Sequence, residues 1–476
     1  MLSSGISSRI RPLLALVLGA AVLAGPVTAA PAVEEARAVV RPNIILITTD
    51  DMTRGDLRWM PRTRRLLRAR GATVTDFIAN EPMCCPSRAE ILTGEYGQNN
   101  GVHANDAAPW GGYKALVQRL DHIGAWLRSA GYRTALVGKF LNGWELTAQP
   151  DRGWTFFDPM LRRVYSPFGQ TMFGNGRPHR FRGVYTGHLV TTLTNRLIRR
   201  YSASRAPFFI WSSQIAPHDM HVAGRWGPPV PAPRDRTAYP GALPPSLSDP
   251  AFDEADVTDK PAYVQRRPPV AVQRVIALHR ARIRSLQAVD QQVEATVAAL
   301  RRAGELRRTY LFFTSDNGFM LGEHRLVDIK NVPYLPSLGV PLLVRGPGVP
   351  AGVSRPALYG MVDLAPTFLA LARAHAHRPI DGRSMLGTLR HGAPGYGSYL
   401  IQAGSAGEDW WWRGVLSARY EYVRYSDGFE ELYDLLRDPA QLTNVAADPG
   451  YALVRQLLAA RLAALQDCSG SDCLGP

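Results

Sequence analysis

Lysine, cysteine and long apolar runs are scarce in this chain. Only four of its 55 basic residues are lysines, and its 476 residues include only four cysteines. After the N-terminal segment, no apolar run approaches the roughly 20 residues of a membrane-spanning helix, which excludes a stable membrane anchor. The sequence has no internal repeat and no low-complexity tract, which argues against a repeat architecture. A chain of this length can instead bury a large core and divide into two domains.

The N-terminus has the pattern of a signal peptide. Arg9 and Arg11 precede an apolar stretch, and small residues follow it through Ala30. We therefore expect residues 1–30 to be a signal peptide that is cleaved near its end, so that the mature protein is secreted. No cysteine ends this segment, so a lipoprotein is not expected.

The two cysteines near the C-terminus predict a local disulfide. Cys468 and Cys473 lie in a short stretch that is rich in glycine and serine. A disulfide between them suits the oxidising compartment of a secreted protein. A zinc site is the alternative, but two cysteines alone supply too few ligands.

The net charge of +15 raises the question of a nucleic-acid partner. The positive charge is scattered along the chain, and its densest cluster, residues 62–70, resembles one face of a short amphipathic helix. We therefore exclude nucleic acid as a partner and expect anionic substrates. Net charge affects non-specific association and the association rate of such substrates. Lysine is a compact point charge with a transferable proton, so its few positions in this arginine-rich chain are informative. They are Lys114, Lys139, Lys260 and Lys330.

Two pairs of polar residues end apolar, strand-like runs. Asp50 and Asp51 follow one such run, and Asp316 and Asn317 follow another. Because the carboxyl ends of parallel strands converge on the crevice where open α/β sheets bind ligands, we expect these side chains to lie together. Their hard oxygen donors suit calcium or magnesium rather than zinc. An isolated Asp-Asp is usually a solvated turn, but two pairs that each end a buried strand favour a metal site.

The segment CCPSRAEILTGEY, from Cys84 to Tyr96, is the most informative part of the chain. Together with the carboxylate pairs it resembles the type I sulfatases, and its double cysteine is most similar to the N-acetylglucosamine-6-sulfatase branch. Those sulfatases present the C-x-P-S-R cysteine to a formylglycine-generating enzyme, so the resemblance implies that Cys84 becomes formylglycine. Cys85 is expected to stay a buried thiol. The alternative is that Cys84 is only a buried cysteine before a helix.

The implied chemistry explains why a cysteine is converted. A hydrated aldehyde is a geminal diol: one hydroxyl can attack sulfur, and loss of the other proton then expels sulfate as the aldehyde re-forms. A cation lowers the pKa of the diol and neutralises the sulfate oxygens. Arg88, one helical turn after Cys84, is expected to hold the diol oxygen. The resemblance implies calcium, with magnesium as the alternative, on this ligand set: Asp50, Asp51, Asp316, Asn317 and the converted Cys84.

Two further segments resemble sulfatase motifs that bind sulfate. Residues 138–142 read GKFLN and are similar to the G-K-Y-L-N segment of glucosamine-6-sulfatases, which implies that Lys139 binds the sulfate oxygens. Many arylsulfatases have a histidine at the position of Leu141, so that role is absent here or passes to Asn142. The segment Ala216-Pro217-His218 resembles the A-P-H segment whose histidine binds sulfate or assists the leaving group, although a lone histidine is usually structural.

Lys330 matches the second lysine of the family. The usual neighbours read D-K and Y-E, whereas this chain has Ile329-Lys330 and Tyr334-Leu335. The missing carboxylates affect the expected leaving-group or sugar contacts more than the sulfate contacts. The resemblance implies that Lys330 and His218 lie near the bridging oxygen of the substrate.

Alternating strand-like and helical stretches predict a doubly wound α/β sheet, and with the motifs they resemble the mostly parallel alkaline-phosphatase-like fold. We expect a catalytic domain over residues 40–377 and a C-terminal subdomain, a small antiparallel sheet plus a helix, over 378–476. Residues 150–185 and 222–270 are predicted insertions, the first at the border of the substrate cleft. The predicted strands are 43–49, 73–79, 133–137, 207–213, 309–314 and 341–345. The predicted helices include 115–130, 187–201, 271–303 and 450–467.

Three classes of function compete. The first is a sulfuric ester hydrolase, N-acetylglucosamine-6-sulfatase-like, that acts on a sulfate monoester of a sugar or glycan. The second is a phosphodiesterase or phosphonate monoester hydrolase of the same fold, a class that often carries additional metal-ligand histidines. The third is a non-catalytic protein that binds anionic glycan, which conflicts with a complete set of metal ligands and sulfate-binding cations. The motifs favour the first class without naming the sugar or the sulfated position.

Overall fold

The structure, a computed structural model, describes Pro12 and residues 41–105, 110–146, 149–404 and 409–474. From Arg41 onward the chain forms one compact unit. The predicted signal peptide lies outside the described residues, apart from Pro12. None of the helices among the described residues is both long and apolar enough to cross a bilayer.

The described residues form eighteen β-strands in four sheets. In chain order they are β1 Asn43–Thr49, β2 Ala72–Ile78, β3 Arg133–Gly138, β4 Phe156–Arg162, β5 Thr171–Gly174, β6 Arg177–Arg180, β7 Phe208–Ser213, β8 Met220–Val222, β9 Arg225–Gly227, β10 Thr309–Ser315, β11 Met320–Leu321, β12 Val327–Ile329, β13 Leu342–Arg345, β14 Val353–Gly360, β15 Ser398–Ala403, β16 Trp412–Ser417, β17 Tyr420–Tyr425 and β18 Glu430–Asp434.

The described part of the chain also contains twelve α-helices and nine short 3-10 helices. The α-helices are α1 Pro61–Leu66, α2 Cys84–Thr93, α3 Gly97–Asn100, α4 Gly112–Ala115, α5 Ile123–Ser129, α6 Thr186–Ser202, α7 Ala262–Gln265, α8 Val272–Arg302, α9 Leu335–Leu338, α10 Leu364–Ala372, α11 Leu386–His391 and α12 Ala452–Leu465. The 3-10 helices are Arg54–Trp59, Arg68–Arg70, Trp144–Leu146, Pro233–Asp235, Pro245–Ser248, Leu306–Arg308, Met361–Asp363, Pro449–Tyr451 and Gly470–Leu474.

A ten-stranded sheet forms the centre of the molecule, in the order β14-β2-β13-β10-β1-β7-β3-β4-β5-β6. Its middle strands, β10, β1, β7, β3 and β4, run parallel to one another. Helices cover both faces. In β1, Ile44 and Leu46 pack with α2, α5 and α10, whereas Ile45 and Ile47 pack with α6 and α8. Burial on both faces explains the uninterrupted apolar run of β1. The predicted doubly wound, mostly parallel fold is confirmed.

The four-stranded antiparallel sheet β15-β16-β17-β18 lies near the C-terminus, and α12 packs on β16 and β17. Its apolar core includes Leu400, Val415 and Leu462. This sheet and helix match the predicted small subdomain, while its proposed boundary at residues 377–378 stays a prediction. Cys468 and Cys473 are joined by a disulfide with an S–S distance of 2.02 Å.

Two local predictions need correction. Residues 150–185 are not an insertion outside the sheet, because β4, β5 and β6 extend its edge. The helix predicted over 115–130 is two helices, α4 and α5. Gln118 has a φ of 49° between them, and the ring of His122 accepts a hydrogen bond from the Gly124 amide at the start of α5. The interruption is therefore a turn followed by a helix cap.

Candidate active site

The carboxyl ends of four parallel strands meet in one buried region. Asp50 and Asp51 follow β1, Asp316 follows β10, Lys139 follows β3 and His218 lies five residues after β7. In the sheet, Thr49 is the partner of Ser315, and Gly138 is the partner of Ser213. The register therefore brings these side chains to the same edge, as the topology of an open α/β sheet requires.

Cys84 is the first residue of α2 and is fully buried at this edge. Its Sγ donates a hydrogen bond to Asp50 Oδ1 at 3.3 Å and accepts one from Lys330 Nζ at 2.9 Å. Burial, and then the charge of Asp50, raises the pKa of the thiol to about 12. At neutral pH the unconverted cysteine therefore stays a protonated thiol, which is a poor nucleophile.

Arg88, one turn further along α2, is held by the neighbouring strand ends. Its Nε donates to Asp316 Oδ2 at 2.8 Å, and its Nη1 donates to Ser213 Oγ at 2.6 Å and to the carbonyl of Lys139 at 3.1 Å. Its buried Nη2 has no hydrogen-bond partner among the described residues. This guanidinium thus positions Asp316 and keeps its Nη2 amino group for a further acceptor.

Two of the four lysines lie against the carboxylates. Lys139 Nζ donates to Asp50 Oδ2 at 2.6 Å, and Lys330 Nζ donates to Asp51 Oδ1 at 2.5 Å. Although burial opposes ionisation, the charges of Lys139, His218, Arg88 and Lys330 hold the pKa of Asp50 well below its ordinary value. The site therefore keeps Asp50 and both lysines charged.

His218 borders the same carboxylates and packs against an aromatic ring. Its Nε2 lies 3.7 Å from Asp51 Oδ2, and its Nδ1 lies 2.7 Å from the carbonyl of Asp219, to which it donates a hydrogen bond. In the neutral ring that bond leaves Nε2 as an acceptor, and in the protonated ring Nε2 also carries a proton that it can donate. The ring stacks on Tyr165 with 4.5 Å between centroids, and Lys139 Nζ lies 5.0 Å from the same Tyr165 ring. Sequence patterns did not single out Tyr165, although they placed its segment at the cleft.

The residues present fit a hard divalent cation. Ligand atoms of Asp50, Asp51, Cys84 and His218 lie within 4.8 Å of one another. Asn317 Nδ2 donates to Asp51 Oδ1 at 2.7 Å, which leaves Asn317 Oδ1 buried with no hydrogen-bond partner among the described residues. A buried amide oxygen without a donor beside carboxylates is the environment in which calcium or magnesium is bound. This cluster can therefore hold a metal ion.

The carboxylate of Asp316 accepts hydrogen bonds from three donors. Its Oδ1 accepts the backbone amides of Asp51 at 3.2 Å and Asn317 at 2.9 Å, while Arg88 occupies Oδ2. Burial, and then the charge of Asp50, raises the pKa of Asp316 to about 6. Nearby positive charge from a cation would favour its ionised form.

Asn142 lies to one side of the cluster. It lines a cavity of about 270 Å³ together with Lys139 and Tyr165. Its backbone amide donates to Cys85 Sγ at 3.1 Å, and Cys85 is a buried thiol outside any disulfide. The predicted site residues thus form one connected region bordered by Asn142, whereas the Cys468–Cys473 disulfide lies in the C-terminal tail.

Arg282 of α8 contacts the backbone of the site at Asp51. Asp51 has a φ of 70°, a left-handed conformation that non-glycine residues rarely adopt. The Nη2 of the buried Arg282 donates to the carbonyl of Asp51 and, at 3.2 Å, to Asp56 Oδ2. We infer that Arg282 positions Asp51. Nothing in the pattern of α8, which carries several arginines, distinguishes this one.

Replacing Arg282 with leucine is expected to weaken metal affinity and turnover by about 10–100-fold, the usual effect of losing a residue that orients a ligand. Arg282→Lys should recover part of the metal affinity because it keeps a donor for the Asp51 carbonyl. Arg280→Leu is the matched control, since Arg280 lies on the same helix but donates to the carbonyl of Ala242, away from Asp51. Divalent-cation affinity and kcat/KM are measured for all three variants. Equal metal affinity in Arg282→Leu and the control would contradict the positioning role.

Comparison with known proteins agrees with this geometry. The family model described as Sulfatase matches residues 42–374, and the model of the N-sulphoglucosamine sulphohydrolase C-terminal region matches residues 322–468. An arylsulfatase of Volvox carteri is 32% identical, over 94% of this chain and 77% of that protein. The human N-acetylglucosamine-6-sulfatase is 29% identical, over 92% of this chain and 86% of its own length.

A solved structure shares the fold. A protein solved in complex with its substrate D-glucosamine-2-N,6-O-disulfate has a TM-score of 0.75 and 21% sequence identity, with 89% of this chain and 97% of that chain covered. The resemblance seen in the segment from Cys84 to Tyr96 is confirmed by the match of the family model to most of the chain. The chain belongs to the sulfatase family, whose members hydrolyse sulfate esters.

Proposed function

We propose that this chain removes sulfate from a sulfate monoester of a sugar, with formylglycine made from Cys84 as the nucleophile. The observation that carries the proposal is the position of Cys84. Its Sγ contacts both Asp50 and Lys330 at the start of α2, in the group of side chains that fits a cation. The nucleophile would therefore form next to the charges that a sulfate group requires.

A sugar substrate is supported by the relatives. One of them is named an N-acetylglucosamine-6-sulfatase, and the solved neighbour is in complex with a sulfated glucosamine. The test is sulfate release from a panel of mono- and disaccharides that carry single sulfates at defined positions. We expect glucosamine 6-sulfates to be cleaved. Turnover of phosphodiesters or phosphonates with no release from any sulfated sugar would contradict the proposal.

Calcium is the proposed cation, with magnesium as the alternative, and the proposed ligands are Asp50, Asp51, Asp316, Asn317 and the converted Cys84. When bound, the cation neutralises the sulfate oxygens and favours the deprotonated nucleophile. The protein holds the proposed ligands in position around the cation. Arg88 fixes Asp316, Asn317 donates to Asp51, and Arg282 holds the Asp51 backbone.

Maturation and localisation complete the proposal. The unconverted thiol is buried and protonated, so a formylglycine-generating enzyme must act on the segment around Cys84 before that segment is folded. Secretion is supported by the signal-like sequence over residues 1–30 and by the Cys468–Cys473 disulfide.

The cations are expected to differ in their roles. Lys139 is proposed to bind sulfate oxygens, whose charge is present before and during reaction. His218 is proposed to assist the bridging oxygen, where negative charge grows only as the bond breaks. Lys330 contacts the Cys84 sulfur at 2.9 Å, so its charge also acts on the nucleophile. A group that acts on developing charge changes the chemical step, whereas a group that binds both states equally changes mainly KM.

His218→Ala is expected to lower kcat/KM on a sugar sulfate by about 10²–10⁴-fold, the usual contribution of leaving-group protonation. The loss should be much smaller on 4-nitrophenyl sulfate, whose phenolate leaves without a proton. Lys139→Ala should affect both substrates similarly, and Lys330→Ala should also reduce both because of its contact with the nucleophile. The measurement is kcat/KM for each variant on both substrates. An equal loss on both for His218→Ala would rule out its role at the bridging oxygen.

A further inference from the structure

A groove away from the strand-end carboxylates is lined by four arginines. It has a volume of about 530 Å³, and its lining includes Thr73 and Thr75 of β2. No Asp or Glu side chain is among the lining residues. A cavity of this size is in the range of small-ligand sites, so it can take one or two sugar units of a longer chain. The four arginines are Arg54, Arg58, Arg64 and Arg68.

Three of these arginines have no acidic partner within the described part of the chain. No carboxylate there lies within 4.0 Å of the guanidinium groups of Arg58, Arg64 or Arg68, and all three side chains are exposed. Two other arginines of the same stretch behave differently, since Arg62 pairs with Asp290 and Arg65 pairs with Glu294. The segment therefore divides into arginines that fix it to α8 and arginines that face the groove with their charge unpaired.

The fourth arginine is fixed in place at the other end of the groove. Arg54 Nη2 donates to the Phe77 carbonyl at 2.7 Å, and its Nε donates to the Val340 carbonyl at 3.3 Å. Desolvation in the groove lowers the pKa of Arg54, and the charge of Asp76 opposes that shift. Thr73 lies near the start of β2 and Phe77 near its end, and the chain then leads to Cys84. The groove therefore follows this strand, with Arg54 towards the carboxyl edge of the sheet.

A second basic cavity lies on the other side of the segment 61–70. It has a volume of about 540 Å³ and is lined by Arg70, Arg301 and Arg345, with Glu294 as its acidic residue. Burial, and then the charges of Arg301 and Arg70, lowers the pKa of Arg345. Mutual repulsion of this kind is relieved when an anion binds between like charges. Arginines of the segment 61–70 line both cavities, and we call the two together the basic band.

We propose that this band, centred on the groove of Arg54, Arg58, Arg64 and Arg68, is an exosite that binds a sulfated polysaccharide chain. Guanidinium groups present fork-shaped pairs of donors that match the oxygens of sulfate, and several such groups spaced along a groove match a repeating polyanion. This inference rests on the proposed action on sulfated glycans. It adds that the enzyme holds a polymer outside the catalytic centre and so raises the local concentration of its sulfate esters.

The test is binding of a fluorescent heparin octasaccharide to the full-length, matured enzyme at several salt concentrations. The groove variant is Arg58→Ser/Arg64→Ser/Arg68→Ser. The control, Arg199→Ser/Arg200→Ser/Arg307→Ser, removes the same charge from exposed arginines elsewhere. We expect the groove variant to bind about tenfold more weakly, since each exposed charge contact contributes little alone. Its affinity should also depend less on salt, while the control stays near the wild type. Both variants should keep the wild-type kcat/KM on 4-nitrophenyl sulfate.

Equal weakening in the groove variant and the control would overturn the exosite, because binding would then follow net charge alone. Unchanged binding in both would overturn it as well. A short DNA duplex could also bind with the same affinity as the octasaccharide and lose the same affinity in the groove variant. That result would show that the groove binds polyanions in general and would overturn the assignment to a glycan. If the wild type cleaves no sulfated sugar but the groove variant still loses octasaccharide binding, the proposed substrate fails and the exosite stands.

Discussion

Replacing Cys84 with alanine is expected to reduce sulfate release by about 10⁴-fold or more, the scale on which enzymes lose activity with their nucleophile. Alanine removes the atom that contacts Asp50 and Lys330 and leaves the helix start intact. The adjacent Cys85→Ala is the matched control. Cys85 is also buried, but it packs in the apolar core, and its Sγ accepts the backbone amide of Asn142.

Cys85→Ala should therefore cost stability, as a large-to-small change in a core does, and keep most of the activity. The measurements are kcat/KM on one sugar sulfate and the thermal midpoint of each purified variant. A Cys84→Ala variant that turns over at a rate comparable with Cys85→Ala would contradict the assignment of the nucleophile.

Replacing Asp50 with asparagine is expected to have the second large effect. Asp50 contacts Cys84 Sγ and Lys139 Nζ and lies with Asp51 in the group of potential metal ligands. Loss of its charge should weaken calcium binding by about 100-fold or more, beyond the 10–100-fold typical of residues that only orient a ligand. Sulfate release at low calcium should fall with it.

The control for this prediction is Asp290→Asn. Asp290 is a buried carboxylate of α8 that accepts the amide of Thr63 and contacts Arg62. This change should lower stability but leave calcium affinity unaltered. The measurement is activity of chelator-treated protein as calcium is added back, together with the metal content of each variant. Normal calcium activation of Asp50→Asn would contradict the proposed ligand set.

The central part of the fold was predictable because its signals are local and strong. Uninterrupted apolar runs such as β1 and β10 can be buried on both faces only in a sheet covered by helices. Once those strands are parallel, the residues that follow them must meet at one edge. This is why the sequence alone predicts that Asp50 and Asp316, far apart in the chain, lie together.

Other features depend on contacts that no local pattern reveals. The apolar run of β13 predicts a strand but not its direction, and it inserts antiparallel between β10 and β2. The strands β5 and β6 have only four residues each and contain polar side chains, so residues 150–185 resembled an insertion. Their strand character comes from the pairing of β5 with β4 and of β6 with β5.

The scarcity of lysine was a partial guide to the site. Lys139 and Lys330 do lie on the strand-end carboxylates. Lys260 is as buried as Lys139, but it donates to the carbonyl of Leu442 and pairs with Asp259, so its role is to join distant segments. Lys114 is exposed. Tyr165 and Arg282 were missed because their roles arise from packing against His218 and from a hydrogen bond to the Asp51 backbone.

The most direct test of the account is peptide mass spectrometry across Cys84 on preparations of the wild-type enzyme that differ in maturation. The fraction of Cys84 found as formylglycine is compared with the rate of sulfate release from the same sugar sulfate. We predict that activity rises in proportion to the converted fraction and that Cys85 remains a thiol throughout. Full activity in a preparation whose Cys84 is entirely thiol would contradict the central claim.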